Sequence, residues 1–149
     1  MNIRILFFLL AAIVTTASHA QCMAPHAATG QIVQVIETGG LNSWFRAWAT
    51  YRPDGYPIIY YGQGFASLSP LMQRFVRLHE CAHLIEAPGN EILANCRALQ
   101  VIREQGLSRE DEGYIAQHHI SDGPLPPQYG GSGKAFWAAT LQCAGKRVL

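Results

Sequence analysis

The sequence predicts an α+β fold in which a small antiparallel sheet precedes a group of packed helices. Residues 30–61 consist of short β-branched or aromatic stretches separated by glycine and proline, which is typical of strands and turns. From residue 69 onward, apolar residues recur at the spacing of an amphipathic helix. A length of 149 residues, 49% of them hydrophobic, suits one domain with its own core.

Three segments are predicted to form the sheet. The first, 31–36, is rich in β-branched residues, and the second, 44–51, is rich in aromatic residues. The sequence Arg52-Pro53-Asp54-Gly55 predicts a turn, because proline fixes φ and glycine allows a positive φ. The third strand is 57–61. The short connections between these segments favour an antiparallel meander.

Helix boundaries are marked by capping and helix-breaking residues. Ser69-Pro70 is an N-cap followed by proline at the first helical position, and Pro88-Gly89 ends that helix. Asn90 is a good N-cap for the next helix. The segment 121–133 is rich in proline and glycine and is predicted to be irregular. The predicted helices are 70–86, 91–105, 109–119 and 134–144.

The first twenty residues are predicted to be a secretory signal peptide. Arg4 is followed by an unbroken apolar run over 5–14, and Ser18-His19-Ala20 suits cleavage after residue 20. A membrane anchor is the alternative, but a spanning helix needs about 20 apolar residues. We therefore predict a signal peptide over 1–20, a single domain over 21–149, and a secreted or periplasmic protein with no membrane association after cleavage.

The charge balance argues against a nucleic-acid partner. The chain has 11 Lys and Arg against 10 Asp and Glu, and cleavage of the signal peptide removes Arg4 but no acid. The mature chain therefore carries no net charge, and it has no run of basic residues that would track a phosphate backbone. The oligomeric state is left open.

The cysteines Cys22, Cys81, Cys96 and Cys143 all lie in the mature chain. Four cysteines in an exported protein indicate two disulfides, for which three pairings are possible. A cysteine-based zinc site is disfavoured because the sequence has no C-x-x-C pair.

The clearest chemical signal is His79-Glu80-Cys81-Ala82-His83, an H-E-x-x-H motif inside the first long predicted helix. Two histidines four residues apart lie on one helix face, about 6 Å apart along the axis, where they can bind one zinc ion. Glu80 lies beside them and can act as general base toward a zinc-activated water. The apolar face of this helix, which is expected to contact the core, includes Leu71, Phe75, Leu78 and Ile85.

A third metal ligand is predicted from the tight turn between the first two long helices, which should form an antiparallel hairpin. Residues that face each other across such a hairpin have numbers with a nearly constant sum, because both helices rise equally per residue. The sum is the same for His83 with Glu91 and for His79 with Asn95. Glu91 is therefore predicted to be a ligand and Asn95 to hold the imidazole of His79. The simpler explanation of Glu91 is an acid favoured by the helix dipole.

The same register predicts the disulfides. The sum for Cys81 with Cys96 is only three higher, which places these residues at similar heights in the hairpin. We therefore predict a Cys81–Cys96 bridge behind the metal site. The remaining pair, Cys22–Cys143, would tie the two ends of the mature chain together.

The H-E-x-x-H motif followed by Glu91-Ile92-Leu93-Ala94-Asn95 resembles the gluzincin group of zinc metallopeptidases. It is most similar to the small members, the minigluzincins and the ImmA/IrrE-type peptidases, over residues 57–98. The resemblance implies a zincin-like domain with one Zn²⁺ per chain, held by His79, His83 and Glu91, with Glu80 as general base. It also implies that the predicted strand 57–61 is an edge that pairs with an extended peptide or protein substrate.

Gluzincins usually stabilise the tetrahedral oxyanion with a tyrosine or histidine. The candidates in this chain are Tyr114, His118, His119 and Tyr129.

Two functions follow from these observations. The first is an exported zinc-dependent metallopeptidase in which the activated water attacks a peptide bond. The alternative is a non-catalytic, disulfide-stapled zinc protein that binds a partner through the aromatic residues of its sheet, which are Trp44, Trp48, Tyr51, Tyr60 and Tyr61.

Overall fold

A computed structural model describes residues 21–41, 47–119, 125, 127 and 130–145. The predicted signal peptide over 1–20 lies outside these residues, as does most of the predicted irregular segment. The strands are β1 (Met23–Pro25), β2 (Ile32–Gln34), β3 (Ile36–Leu41), β4 (Ala47–Tyr51) and β5 (Pro57–Gly62). The helices are α1 (Gln63–Ala66), α2 (Pro70–Ile85), α3 (Glu91–Glu104), α4 (Arg109–His119) and α5 (Gly133–Ala144).

The predicted α+β class is confirmed, but the strand order is not a meander. Strands β1 and β2 form a two-stranded antiparallel sheet, and the other sheet has the order β3-β5-β4. Strand β4 pairs antiparallel with β5, as the turn over residues 52–55 predicts, whereas β3 pairs parallel with β5. Nearly every residue of β5 is buried, which is typical of a central strand.

The expectation that 57–61 forms a free edge is therefore wrong. Strand β5 has a neighbour on both sides, so its backbone groups are already used in the sheet. Within the sheet β3-β5-β4, the edge strand that packs against α2 is β4, and among the described residues no other strand pairs with its second edge. Any pairing of an extended peptide with the sheet beside α2 would thus involve Ala47–Tyr51.

The four long helices agree with their predicted bounds to within a residue. The Ser69 hydroxyl accepts a hydrogen bond from the Met72 N–H, which caps α2. The side-chain oxygen Oδ1 of Asn90 accepts a hydrogen bond from the Leu93 N–H at 3.0 Å, which caps α3. These side chains satisfy donors that have no partner within the first turn of a helix. The one-turn helix α1 was not predicted.

Helix α2 lies between two apolar clusters and is the central element of the fold. On one side it packs with α3, α4 and α5, where Phe75 and Met72 are fully buried. On the other side it packs against the sheet through Cys81 and Leu84. Ile85 was predicted to face the core but is 52% exposed, because α2 ends at this residue.

Both predicted disulfide pairings, Cys81–Cys96 and Cys22–Cys143, are wrong. The structure has Cys22–Cys81, which joins the residue before β1 to α2, and Cys96–Cys143, which joins α3 to α5. The sum of residue numbers gives the height of two residues in a hairpin but not the direction in which they point. Cys81 faces the sheet, whereas Cys96 faces α5.

Two disulfides indicate an oxidising compartment outside the cytosol. Within the described part of the chain, none of the helices combines the length and apolar character that crossing a membrane requires.

Removing the Cys96–Cys143 bridge with the double substitution Cys96→Ser and Cys143→Ser should destabilise the protein. The bridge closes a separation of 47 residues, and loss of such a bridge from a small exported domain costs about 2–5 kcal/mol. Urea unfolding of oxidised wild type and variant measures the difference. Peptide mapping without reductant provides the control, and a fragment linking Cys81 to Cys96 would contradict the observed pairing.

Candidate metal site

The turn between α2 and α3 determines the geometry of the candidate site. Ala87 accepts a hydrogen bond from the Asn90 N–H at 3.1 Å, and Gly89 has a φ of 70°, which favours glycine. The chain therefore reverses within a few residues, and Glu91 becomes the first residue of α3. Its carboxylate lies opposite the last two turns of α2, where His79 and His83 share one face.

Three side-chain atoms converge at this point. The Nε2 atoms of His79 and His83 are 3.1 Å apart. The Glu91 Oε2 atom lies 3.0 Å from the first and 3.4 Å from the second. Four ligands at about 2.0–2.1 Å from a tetrahedral zinc ion are about 3.3–3.4 Å apart. The three residues could therefore hold one metal ion, as their spacing in the sequence predicts.

The outer nitrogen of each imidazole is held by an acceptor. The Nδ1 of His79 lies 2.8 Å from Asn95 Oδ1, and the Nδ1 of His83 lies 2.7 Å from the Ala87 carbonyl. Because these oxygens only accept, both Nδ1 atoms carry the proton of the neutral ring. The Nε2 lone pairs therefore face each other and the Glu91 carboxylate. These lone pairs and the carboxylate repel one another. A proton on one ring relieves part of this repulsion, whereas a metal ion would attract all three atoms.

The electrostatic balance also favours a cation at this position. When the rings are protonated, their Nε2–H groups donate hydrogen bonds to Glu91, and these bonds hold the pKa of Glu91 far below its usual range, although burial opposes this effect. Burial acts to lower the pKa of His83, but its hydrogen bonds to Glu91 and Ala87 and the negative charge of Glu91 raise that pKa overall. The site thus stabilises positive charge between the rings.

Glu80 lies beside the three ligand residues but is not one of them. Its side chain is buried, with 7% of the residue exposed. Burial raises the pKa of Glu80, while the neighbouring histidines and a backbone hydrogen bond from Ala49 act to lower it. Glu80 thus belongs to helix α2, and its carboxylate is hydrogen-bonded to the backbone of strand β4.

The site opens into a cleft of about 660 Å³ between β4, α2 and the turn before α3. Every residue of β4 lines this cleft, so the sheet edge runs alongside the motif. The side chains and backbone at its surface come from Ala47, Trp48, Ala49, Thr50, Tyr51, His79, Glu80, His83, Leu84, Pro88, Gly89 and Glu91.

Two of the four predicted oxyanion stabilisers, Tyr114 and His118, lie away from the cleft. Tyr114 and His118 contact each other on α4, with ring centroids 4.1 Å apart, and neither lines the cleft. The side chain of His119 and the whole of Tyr129 lie outside the described residues.

None of the residues of β4 was predicted from the sequence to line the cleft, including Ala49 and Tyr51, which contact α2 there. The turn signal at residues 52–55 predicts that a strand ends at Tyr51. It does not reveal which edge of that strand faces the helix, because this depends on the parallel pairing of β3 with β5.

The fold and the site together define an α+β protein with a candidate site for a divalent metal ion. No family model, no curated protein and no solved structure matches the chain, so its family is not identified by similarity.

His83→Ala should abolish stable metal binding, because it removes one of three ligand atoms. We expect the wild-type protein to bind one Zn²⁺ per chain and the variant to bind it at least about 100-fold more weakly. Substituting a residue that only hydrogen-bonds a metal ligand typically weakens binding by about 10–100-fold, and losing a ligand itself should cost at least as much. Competition with a chromogenic chelator measures both affinities.

His118→Ala is the matched control, since this histidine is exposed on α4 and away from the cleft. Equal zinc affinity in wild type and His83→Ala would contradict the site.

Proposed function

We propose that this protein is a zinc-dependent metallopeptidase of the gluzincin type that acts outside the cytosol. The observation that carries the proposal is Glu80, a buried carboxylate beside the three ligand residues but not among them. A site that only stabilises the fold does not need such a group. A carboxylate next to an activated water is what peptide hydrolysis requires.

Zinc, when bound, would act as a Lewis acid and make a water molecule nucleophilic at neutral pH. Glu80 would accept the proton of the attacking water and deliver it to the leaving amine. Its burial supports this role, because burial raises the pKa of Glu80 and makes its carboxylate a stronger base toward water than an exposed one. A backbone hydrogen bond from Ala49 holds the Glu80 carboxylate, and both residues line the cleft.

Two hydrogen bonds support the ligands themselves. Asn95 and the Ala87 carbonyl hold the outer nitrogens of His79 and His83, so that each ring presents Nε2 to the ion. Asn95 is fully buried, which restricts its movement. Groups that orient histidine ligands in this way strengthen metal binding.

The substrate would bind as an extended strand beside β4. This strand lines the cleft along its whole length, and its second edge has no strand partner among the described residues. Main-chain hydrogen bonds to a free edge provide affinity without reading the side chains of the peptide. In this proposal β4, rather than the segment 57–61, is the strand that pairs with the extended substrate.

The binding-module alternative rests on Trp48. This residue is 39% exposed and contacts Tyr60, with ring centroids 4.9 Å apart. Of the other described aromatic residues proposed for such a surface, Tyr61 is buried against Phe65, and the Tyr51 hydroxyl is bonded to the Leu84 carbonyl. Both Trp48 and Tyr51 line the metal cleft, so a partner bound there would lie beside the candidate metal site. Trp44 lies outside the described residues.

Export completes the proposal. The predicted signal peptide over 1–20 and the two disulfides are consistent with a secreted or periplasmic enzyme.

Glu80→Gln should separate catalysis from metal binding. Glutamine has nearly the same size but cannot accept the proton, so peptide hydrolysis should fall by about 10²–10⁴-fold, while zinc content stays that of the wild type. Mass spectrometry of a digested unfolded protein such as casein measures the hydrolysis, and elemental analysis measures the metal.

Glu86→Gln is the matched control, since Glu86 is an exposed acid paired with Arg97 and lies outside the cleft. A zinc-loaded wild type that cleaves no peptide would favour the binding-module alternative, and an active Glu80→Gln variant would overturn the role of Glu80.

A further inference from the structure

One side chain crosses from the sheet to the helix within the cleft. The Tyr51 hydroxyl donates a hydrogen bond to the Leu84 carbonyl at 3.0 Å. This carbonyl lies in the last turn of α2, where its usual donor would be the N–H of residue 88, which is a proline. The phenol takes the place of that donor and is thereby fixed to the end of α2.

The bridge lies at a defined distance from the proposed general base. Strand β4 and helix α2 run side by side, since Ala49 contacts Glu80 and Tyr51 contacts Leu84. Two strand residues span about 7 Å, and four helical residues rise about 6 Å. The Tyr51 bridge therefore crosses the cleft about 6–7 Å beyond Glu80.

We propose that the Tyr51 bridge closes this end of the cleft and determines substrate specificity. An extended peptide needs about 3.3–3.4 Å per residue, so about two residues fit between the scissile bond and the bridge. The protein would then cleave peptides close to one terminus and release fragments of one or two residues. This inference rests on the proposed peptidase function. The substrates would be peptides that are cleaved within two residues of one terminus.

The experiment compares cleavage positions rather than overall rates. A tryptic digest of casein, which offers many sequences and lengths, is incubated with the zinc-loaded wild-type protein, and new peptide ends are located by mass spectrometry. We expect cleavage within two residues of one terminus to exceed interior cleavage by at least about tenfold, as steric discrimination in a pocket allows. The preferred terminus reports the direction in which the peptide lies along β4.

Tyr51→Ala should remove the bridge and shift cleavage toward interior positions. Tyr51→Phe keeps the ring but loses the hydrogen bond to Leu84, so we expect an intermediate distribution, and this variant remains informative if the alanine variant fails to fold. Tyr56→Ala is the matched control, since Tyr56 is an exposed tyrosine that does not line the cleft. Its cleavage positions should be those of the wild type.

The outcomes separate this inference from the proposed function. Interior cleavage by the wild type without a terminal preference, or an unchanged distribution in both Tyr51 variants, would overturn the role of Tyr51 and leave the peptidase standing. A zinc-loaded wild type that produces no new peptide ends would overturn both.

Discussion

The register of the α2–α3 hairpin is the constraint on which the rest of the site depends. It places the Glu91 carboxylate 3.0 and 3.4 Å from the Nε2 atoms of His79 and His83. It also places Asn95 against the outer nitrogen of His79. A shift by one residue in α3 would turn Glu91 by about 100° around its helix axis and separate both contacts at once. The local turn, capped by Asn90, therefore determines the chemistry of the cleft.

The elements around the hairpin support this register from outside. Cys81, one residue from Glu80, is bonded to Cys22, which directly precedes β1. Cys96, one residue from Asn95, is bonded to Cys143 in α5. Each helix of the hairpin is thus anchored next to a residue of the candidate site. A small domain with a modest core gains rigidity from such bridges, and rigid ligand positions favour tight metal binding.

The sequence predicts what depends on local chemistry. Ser69-Pro70, Asn90 and the spacing of His79, His83 and Glu91 were sufficient to predict α2, α3 and the convergence of these three side chains, because caps, turns and helical periodicity act over a few residues. The sheet order, the disulfides and the role of Tyr51 could not be predicted in the same way. They depend on which faces of distant elements meet, and the numbering of residues in a hairpin gives height but not direction.

The central claim is that His79, His83 and Glu91 hold one metal ion between α2 and α3. Diffraction from crystals of the zinc-loaded protein, recorded on both sides of the zinc absorption edge, tests it most directly. The account predicts a single anomalous peak about 2.0–2.2 Å from the two Nε2 atoms and a Glu91 carboxylate oxygen. A peak at another position, or one bound by the histidines with Glu91 turned into solvent, would contradict it.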